Sequence, residues 1–216
     1  MEFQLSAEQE LFKRMIREYC EEHVEPRSRE IDENESGIPD ELIQGLADLG
    51  VFGIVIPEEY GGSAPEGEEM AYANIAVQEL GRTEMSMALP VYVLLCLGWG
   101  YLVAQYGTEK LKKEVLHRIA AGEYFAGINT TEPAGGSDVA NIKTKAEYKD
   151  GKFIINGEKA YISGVLEATE QREGGHCTLV RTDPEAAHKG FTFIFVPADR
   201  ERMEADRRNA GRGRAG

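Results

Sequence analysis

The sequence predicts an α+β protein. An all-α helical bundle over residues 1–123 precedes an incomplete, mainly antiparallel β domain over 124–198, and a basic tail at 199–216 is expected to be disordered. Three observations carry this. Apolar residues recur at helical spacing up to about Ala121. After Tyr124 the pattern changes to short runs of β-branched and aromatic residues, with Asp150-Gly151 as a hairpin turn between "AEYK" and "KFII". Beyond Pro197 the apolar pattern stops, and from Asp199 to Gly216 six arginines stand against four acidic residues.

The first helix is expected from residue 6 to about 30. Ser6 and Gln9 have capping-box spacing, and Leu11, Phe12, Met15, Ile16, Tyr19, Cys20 and His23 form one apolar face. Pro26 is expected to kink or end it. A second helix begins in "IPDELIQGLADLG", with Pro39 at an early helical position and Gly50 at the C-terminal cap. The apolar run "VFGIVIPEEYGG" closes in a Pro and Gly-Gly loop, and a third helix spans about Glu68 to Arg82. An uncharged helix follows, and a fifth runs from near Thr108 to "AAGE". In the β domain, "FAGINTT", "NIKTKAEYKDGKFIINGEKAYIS", "HCTLVRT" and "GFTFIFV" read as strand-forming segments.

Composition limits the function classes. A chain of 216 residues with 42% hydrophobic content buries a real core. Its net charge of −14 repels nucleic-acid phosphates and anionic membranes, so neither is expected as a partner. Residues 85–108 carry no charge and are long enough to cross a bilayer, but Pro90, Gly98, Gly100 and Gln105 interrupt them and no basic residue flanks their N-terminal end. They read as a helix buried on most sides of a bundle, with no membrane span. Cys20, Cys96 and Cys177 are odd in number and form no CxxC pair, which suits buried thiols in a reducing, cytoplasmic setting. The four histidines lack metal spacing, and His176-Cys177 in a strand would point to opposite faces, so no metal site is expected. The acidic "MEFQLSAEQE" start does not read as a signal peptide.

Two loops carry the chemistry. In "TEPAGGSD" (131–138), Pro133 fixes one φ angle, while Gly135 and Gly136 let a ligand approach the backbone. Successive N–H groups in such a turn can converge on an anion, with hydroxyls from Thr130, Thr131 and Ser137 beside them. On composition alone an ordinary polar turn is the stronger reading, and the loop lacks the Walker and GxGxxG spacings. In "NGEKAYISG" (156–164), strand alternation puts Tyr161 and Ser163 on one face and Ile162 on the other, so a ring and a hydroxyl could meet a flat heterocycle.

Taken in order, the helical bundle, "TEPAGGSD", the hairpin, "INGEKAYIS" and "LVRT" resemble the acyl-CoA dehydrogenase family of flavoenzymes. "VPEEYGG" and "YGTEKLKKEVLHRIAAGE" are similar to that family's N-terminal domain, and the resemblance covers about residues 3–198. It implies FAD as cofactor, an acyl-CoA thioester as substrate and oxidation to the trans-2-enoyl-CoA in fatty acid or amino acid catabolism. A glutamate base removes the α proton while hydride leaves the β carbon for the flavin N5. It also implies an electron-transferring flavoprotein as acceptor and a homo-oligomer, tetramer or dimer, at full length.

By the same resemblance Ile128, Thr130 and Thr131 match the stretch beside the flavin's pyrimidine side, and Gly136 and Ser137 match positions near the pyrophosphate. Tyr161, Ile162 and Ser163 match the strand beside the isoalloxazine, with Ser163 placing a hydroxyl near N5 and Tyr161 standing where many members have tryptophan. Glu132 is assigned a structural role. The "GVLEATEQREGGHC" link (164–177) is longer or more charged than is usual in the family and reads as a surface loop, with contact at the substrate entrance as the other reading.

Family members are close to twice this length, and the catalytic base is expected in a C-terminal helical domain that this sequence does not contain. The expectation is a truncated or frame-shifted dehydrogenase with no catalytic residue of its own, weak or absent FAD binding and little activity alone. The other readings are a non-catalytic interaction or assembly protein on the same fold, and an oxygen-using acyl-CoA oxidase relative. Retention of both flavin signatures favours the dehydrogenase over the interaction protein, and oxygen consumption by a full-length form would separate the oxidase.

Overall fold

The structure, a computed structural model, describes residues 4–33, 37–186 and 189–198. The expected disorder of 199–216 lies outside the described residues. The chain divides into two compact units, Met1–Phe125 and Ala126–Gly216.

The first unit is helical. Helix α1 (Ala7–Tyr19) starts at a complete capping box: the Gln9 amide donates to Ser6 Oγ, and the Ser6 amide donates to Gln9 Oε1. Pro26 does not end the helical course. It falls in a 3-10 turn (Glu25–Arg27) between a π-helical turn (Cys20–Val24) and helix α2 (Ser28–Glu33), so the missing N–H is absorbed by changes of pitch. The buried face is Ile16, Cys20 and Val24, narrower than expected, while Leu11, Met15 and His23 are exposed.

Helix α3 (Asp40–Asp48) has Pro39 at its N-cap, one place before the helix proper, and ends at Gly50 with φ of 76°. The following run Val51–Ile56 is fully buried, and the chain returns so closely at Gly62 that any Cβ there would strike the Ile56 carbonyl.

Helix α4 (Glu69–Thr83) packs on α1 and carries Glu79, whose side chain is 1% exposed. Arg17 grips that carboxylate with two hydrogen bonds of 2.9 and 2.8 Å, and Arg82 adds a third at 3.1 Å. Buried carboxylates survive only with this kind of compensation. Glu84, also buried, accepts hydrogen bonds from the amides of Ser86 and Leu89 and from the Ser86 hydroxyl, and so satisfies the start of helix α5 (Ala88–Tyr106).

Helix α5 is long and apolar enough to cross a membrane by length and composition, and half of it is buried within the protein. Leu89, Tyr92, Val93, Cys96, Leu97 and Val103 face inward, whereas Leu94 and Tyr101 are exposed, so it is buried on one side and not on most sides. Phe52, Tyr92 and Phe125 stack in series, with centroids 6.0 and 5.1 Å apart. Helix α6 (Glu109–Ala120) starts at Thr108, which caps the Leu111 amide, and buries Val115, Leu116 and Ile119.

Among the described residues the sheet has five strands: β1 (Tyr124–Asn129), β2 (Lys145–Lys149), β3 (Lys152–Asn156), β4 (Glu173–Arg181) and β5 (Phe191–Pro197). Strands β2 and β3 form the expected hairpin, with Lys149 opposite Lys152 and both turn residues, Asp150 and Gly151, at positive φ. Strands β4 and β5 pair antiparallel from Gly175↔Pro197 to Arg181↔Phe191. The sheet is mixed, however, because β2 meets β4 in parallel at Lys145↔Arg181.

Two further expectations change. "NGEKAYIS" is not strand: β3 ends at Asn156, and 157–164 is irregular with Tyr161 at φ of 59°. The 164–177 link is not a surface loop. It contains a π-helical turn (Glu167–Gln171) that buries Ala168, and β4 already begins at Glu173.

Candidate functional site

Strand β1 delivers Ile128, half-buried, and then Thr130 and Thr131 to the start of the glycine loop. Glu132 and Gly135 exchange both backbone hydrogen bonds, 3.2 and 3.0 Å, around Pro133-Ala134, which forms a tight two-residue turn. Gly135, Gly136 and Ser137 are exposed, and a Cβ at Gly135 would meet nothing within 4 Å. At Gly136 a Cβ would sit 3.4 Å from Thr131 Cγ2. The loop then closes through a 3-10 turn (Val139–Asn141), held by Asn141 on Asp138 and by Arg181 Nη2 donating to the Ala140 carbonyl at 2.6 Å.

Glu132 closes the base of this loop. Its side chain accepts from the Lys143 amide at 2.7 Å, the Thr144 amide at 2.9 Å, the Thr144 hydroxyl at 2.6 Å and Lys159 Nζ at 3.1 Å. Burial pushes its pKa upward. The Thr144 hydroxyl, the two amides and Lys159 outweigh burial and hold the pKa at about 2. A carboxylate with its oxygens so engaged and so acidic cannot serve as a proton-abstracting base near neutral pH, in keeping with a structural role.

The second loop lies on the first. The Ala160 amide donates to the Thr131 carbonyl at 3.0 Å, and Lys159 Nζ donates to the Thr130 carbonyl at 3.1 Å. A Cβ on Gly157 would collide with Thr144, so the loop starts in close contact with the same cluster. Tyr161 is 69% exposed and Ser163 is exposed, with Ile162 half-buried between them. Because this segment is not a strand, alternation does not decide which way Tyr161 and Ser163 point.

Ser163 is tied to β4 through its carbonyl, 3.3 Å from Nε2 of the fully buried His176. Burial drives the His176 pKa down to about 4, partly opposed by that hydrogen bond. Beside it, Thr178 Oγ1 donates to the His176 carbonyl, and the buried Asn129 donates to Thr178.

The structure therefore ties the first loop to the second through the 159–160 segment, while Thr144 and Arg181 hold the first loop and His176 holds the second; sequence reasoning had assigned no role to Lys159, Thr144, His176 or Arg181. Lys159 and Arg181 had a visible signal, since they belong to the "NGEK" and "LVRT" stretches. The thiols of Cys20 and Cys177 are pushed up to about 11 by burial and take no part in the site.

Comparison with known proteins agrees with this arrangement. Residues 6–123 match the family model for the acyl-CoA dehydrogenase N-terminal domain, and residues 127–216 match that for the acyl-CoA dehydrogenase middle domain. The glutaryl-CoA dehydrogenase of Desulfococcus multivorans is 33% identical over 199 residues, covering 91% of this chain and 49% of that protein. The short-chain-specific acyl-CoA dehydrogenase of Clostridium acetobutylicum is 35% identical over 202 residues, covering 89% of this chain and 52% of its own. A solved glutaryl-coenzyme A dehydrogenase in complex with glutaryl-CoA superposes with a TM-score of 0.82 at 31% identity, over 91% of this chain and 48% of that one. The chain thus spans about half the length of the curated relatives it matches. With both family models satisfied in order and the two signature loops bound to each other, the chain belongs to the acyl-CoA dehydrogenase family.

Proposed function

We propose that this chain contributes the flavin-binding side of an FAD-dependent acyl-CoA dehydrogenase that converts an acyl-CoA thioester to the 2-enoyl-CoA. The observation that carries the reading is the joining of the two signature loops by the Ala160–Thr131 and Lys159–Thr130 hydrogen bonds. The residues present fit the cofactor. Gly135 leaves open space where a side chain would otherwise stand, and hydroxyls of Thr130, Thr131, Ser137 and Ser163 surround the loops with donors. Ile128, Thr130, Thr131, Gly136, Ser137, Tyr161, Ile162 and Ser163 would hold it.

Bound FAD supplies the hydride acceptor. The chain's own residues bind and orient: Thr131 and Ser163 offer hydroxyl donors, Tyr161 offers a ring for packing, and Gly136 admits a phosphate to the backbone. Glu132 stays ionised and engaged, so proton abstraction is not assigned to it. The relatives are named for glutaryl and short-chain thioesters, and a short acyl-CoA is therefore the proposed substrate class. An electron-transferring flavoprotein as acceptor, homo-oligomeric assembly and a cytoplasmic site of action complete the proposal.

The test is to titrate the purified chain with FAD, following flavin fluorescence and the visible spectrum, and then to add glutaryl-CoA or butyryl-CoA. Weak, saturable binding that Thr131→Ala and Ser163→Ala weaken further is expected, with little bleaching by either thioester. No saturable binding, or binding indifferent to both substitutions, would overturn the reading.

A further inference from the structure

Lys159 stands out among the groups that the proposed chemistry does not use. Its side chain is 9% exposed, beside a Glu132 side chain that is 7% exposed. An ammonium so withdrawn from water persists only where its donors are spent on strong acceptors. Two such acceptors are in place, Glu132 Oε1 and the Thr130 carbonyl, each at 3.1 Å. Neighbouring residues repeat the pattern: Lys159 holds Thr130 by its side chain, and Ala160 holds Thr131 by its backbone. Glu132 in turn fixes Lys143 and Thr144, on the far side of the glycine loop. Three segments, 130–132, 143–144 and 159–160, therefore meet at the Glu132–Lys159 pair, with Lys159 reaching 130–132 directly and 143–144 only through Glu132.

We infer that Lys159 is a positioning residue: its ammonium locks the Thr130–Thr131 backbone against the 157–163 loop and so presets both halves of the cofactor-contact surface. This rests on the flavin reading above for its functional consequence, but the lock itself is a property of the chain without ligand. Lys159 is not a catalytic residue, since its Nζ is occupied by protein acceptors. Neutralising Glu132 is the alternative reason for a lysine here, and the two roles separate experimentally. A tie to the Thr130 carbonyl needs a donor at Nζ, whereas neutralisation becomes unnecessary once the carboxylate is gone.

The experiment uses the whole chain and compares wild type with Lys159→Met and with the double variant Lys159→Met/Glu132→Gln. The readouts are amide hydrogen exchange and FAD affinity. In both variants the Ala160 amide should exchange ~10-fold faster or more and the FAD Kd should rise ~10-fold, as expected for losing a hydrogen bond from a charged group, while exchange in α4 and α5 stays unchanged. The double variant should regain thermal stability over the single one, yet keep both defects. Unchanged Ala160 exchange in Lys159→Met overturns the inference. Recovery of Ala160 exchange and FAD affinity in the double variant also overturns it, because Lys159 would then serve only to neutralise Glu132. If Lys159→Met does not fold, the double variant decides alone. If the wild type binds no FAD, the flavin reading fails, and the exchange data still decide whether Lys159 locks the loops.

Discussion

His176 Nε2 lies 3.3 Å from the carbonyl oxygen of Ser163. A carbonyl only accepts, so Nε2 carries the proton and neutral His176 is the Nε2–H tautomer. A buried histidine on β4 thus fixes the backbone of a residue proposed to contact the flavin.

That arrangement has a pH dependence with a definite sign. The His176 pKa falls from 6.5 to about 4 on folding, mainly by burial. Above pH 6.5 the ring is neutral in both states and contributes no slope. As pH drops from 6.5 toward 4 the unfolded chain takes up the proton first, and stability falls by an amount on the order of 3 kcal/mol. His176→Gln keeps an N–H donor for Ser163 and removes the titration. Its urea-unfolding free energy should decline less over that window than that of the wild type.

Glu132 acts over a lower range. Its pKa is depressed from 4.5 to about 2, so its stabilisation is complete above 4.5 and is lost as pH falls through 2. Thr144→Val removes the hydroxyl at 2.6 Å. The Glu132 carboxyl, followed by carbon NMR, should then titrate at higher pH, and the β unit should lose about 1–2 kcal/mol at neutral pH.

Tyr161 sits at φ of 59° with 69% of its surface exposed. A left-handed backbone costs an ordinary residue about 1–2 kcal/mol, whereas glycine takes it freely at some entropic cost. Tyr161→Gly should raise stability by about 0.5–1 kcal/mol and weaken FAD binding, because the ring is lost. Calorimetry and a flavin titration on one preparation check both halves. A rise in FAD affinity would remove Tyr161 from the site.

In the helical unit, Glu79→Gln removes the charge that Arg17 and Arg82 share. Both arginines reach solvent, with side chains 43% and 44% exposed, and can rehydrate. The loss should therefore be about 1–3 kcal/mol, below the cost of stranding a fully buried partner. Thermal unfolding should show the change in the helical transition.

Much of this architecture was legible because its signals are local. The capping box at Ser6 and Gln9, Thr108 at the start of α6 and the Asp150-Gly151 turn each act within four residues. The errors fall where distant partners decide. Alternation in "KFIINGEKAYIS" suggested one long strand, but contact of Gly157 with Thr144 and the grip of Lys159 on Thr130 end it at Asn156. Strand β4 starts among Glu173, Gly174 and Gly175, poor strand formers that pairing with β5 makes extended. In the site, the motif residues were visible as a pattern. Their connections were not, since the chain separates Glu132 from Lys159 and Ser163 from His176, and only folding joins them.

Strand β4 is bonded to β1, β2 and β5, so three of the four other described strands depend on a segment that ends at Arg181. This gives the unit a built-in order of assembly. On a ribosome the β2–β3 hairpin can close as soon as its own residues emerge, but a lone two-stranded hairpin is marginal in water. The rest must wait for long-range closure, which slows β-rich folding and prolongs exposure of unpaired edges. A chain interrupted before Glu173 would present strand edges without their common partner, a species for chaperones to hold.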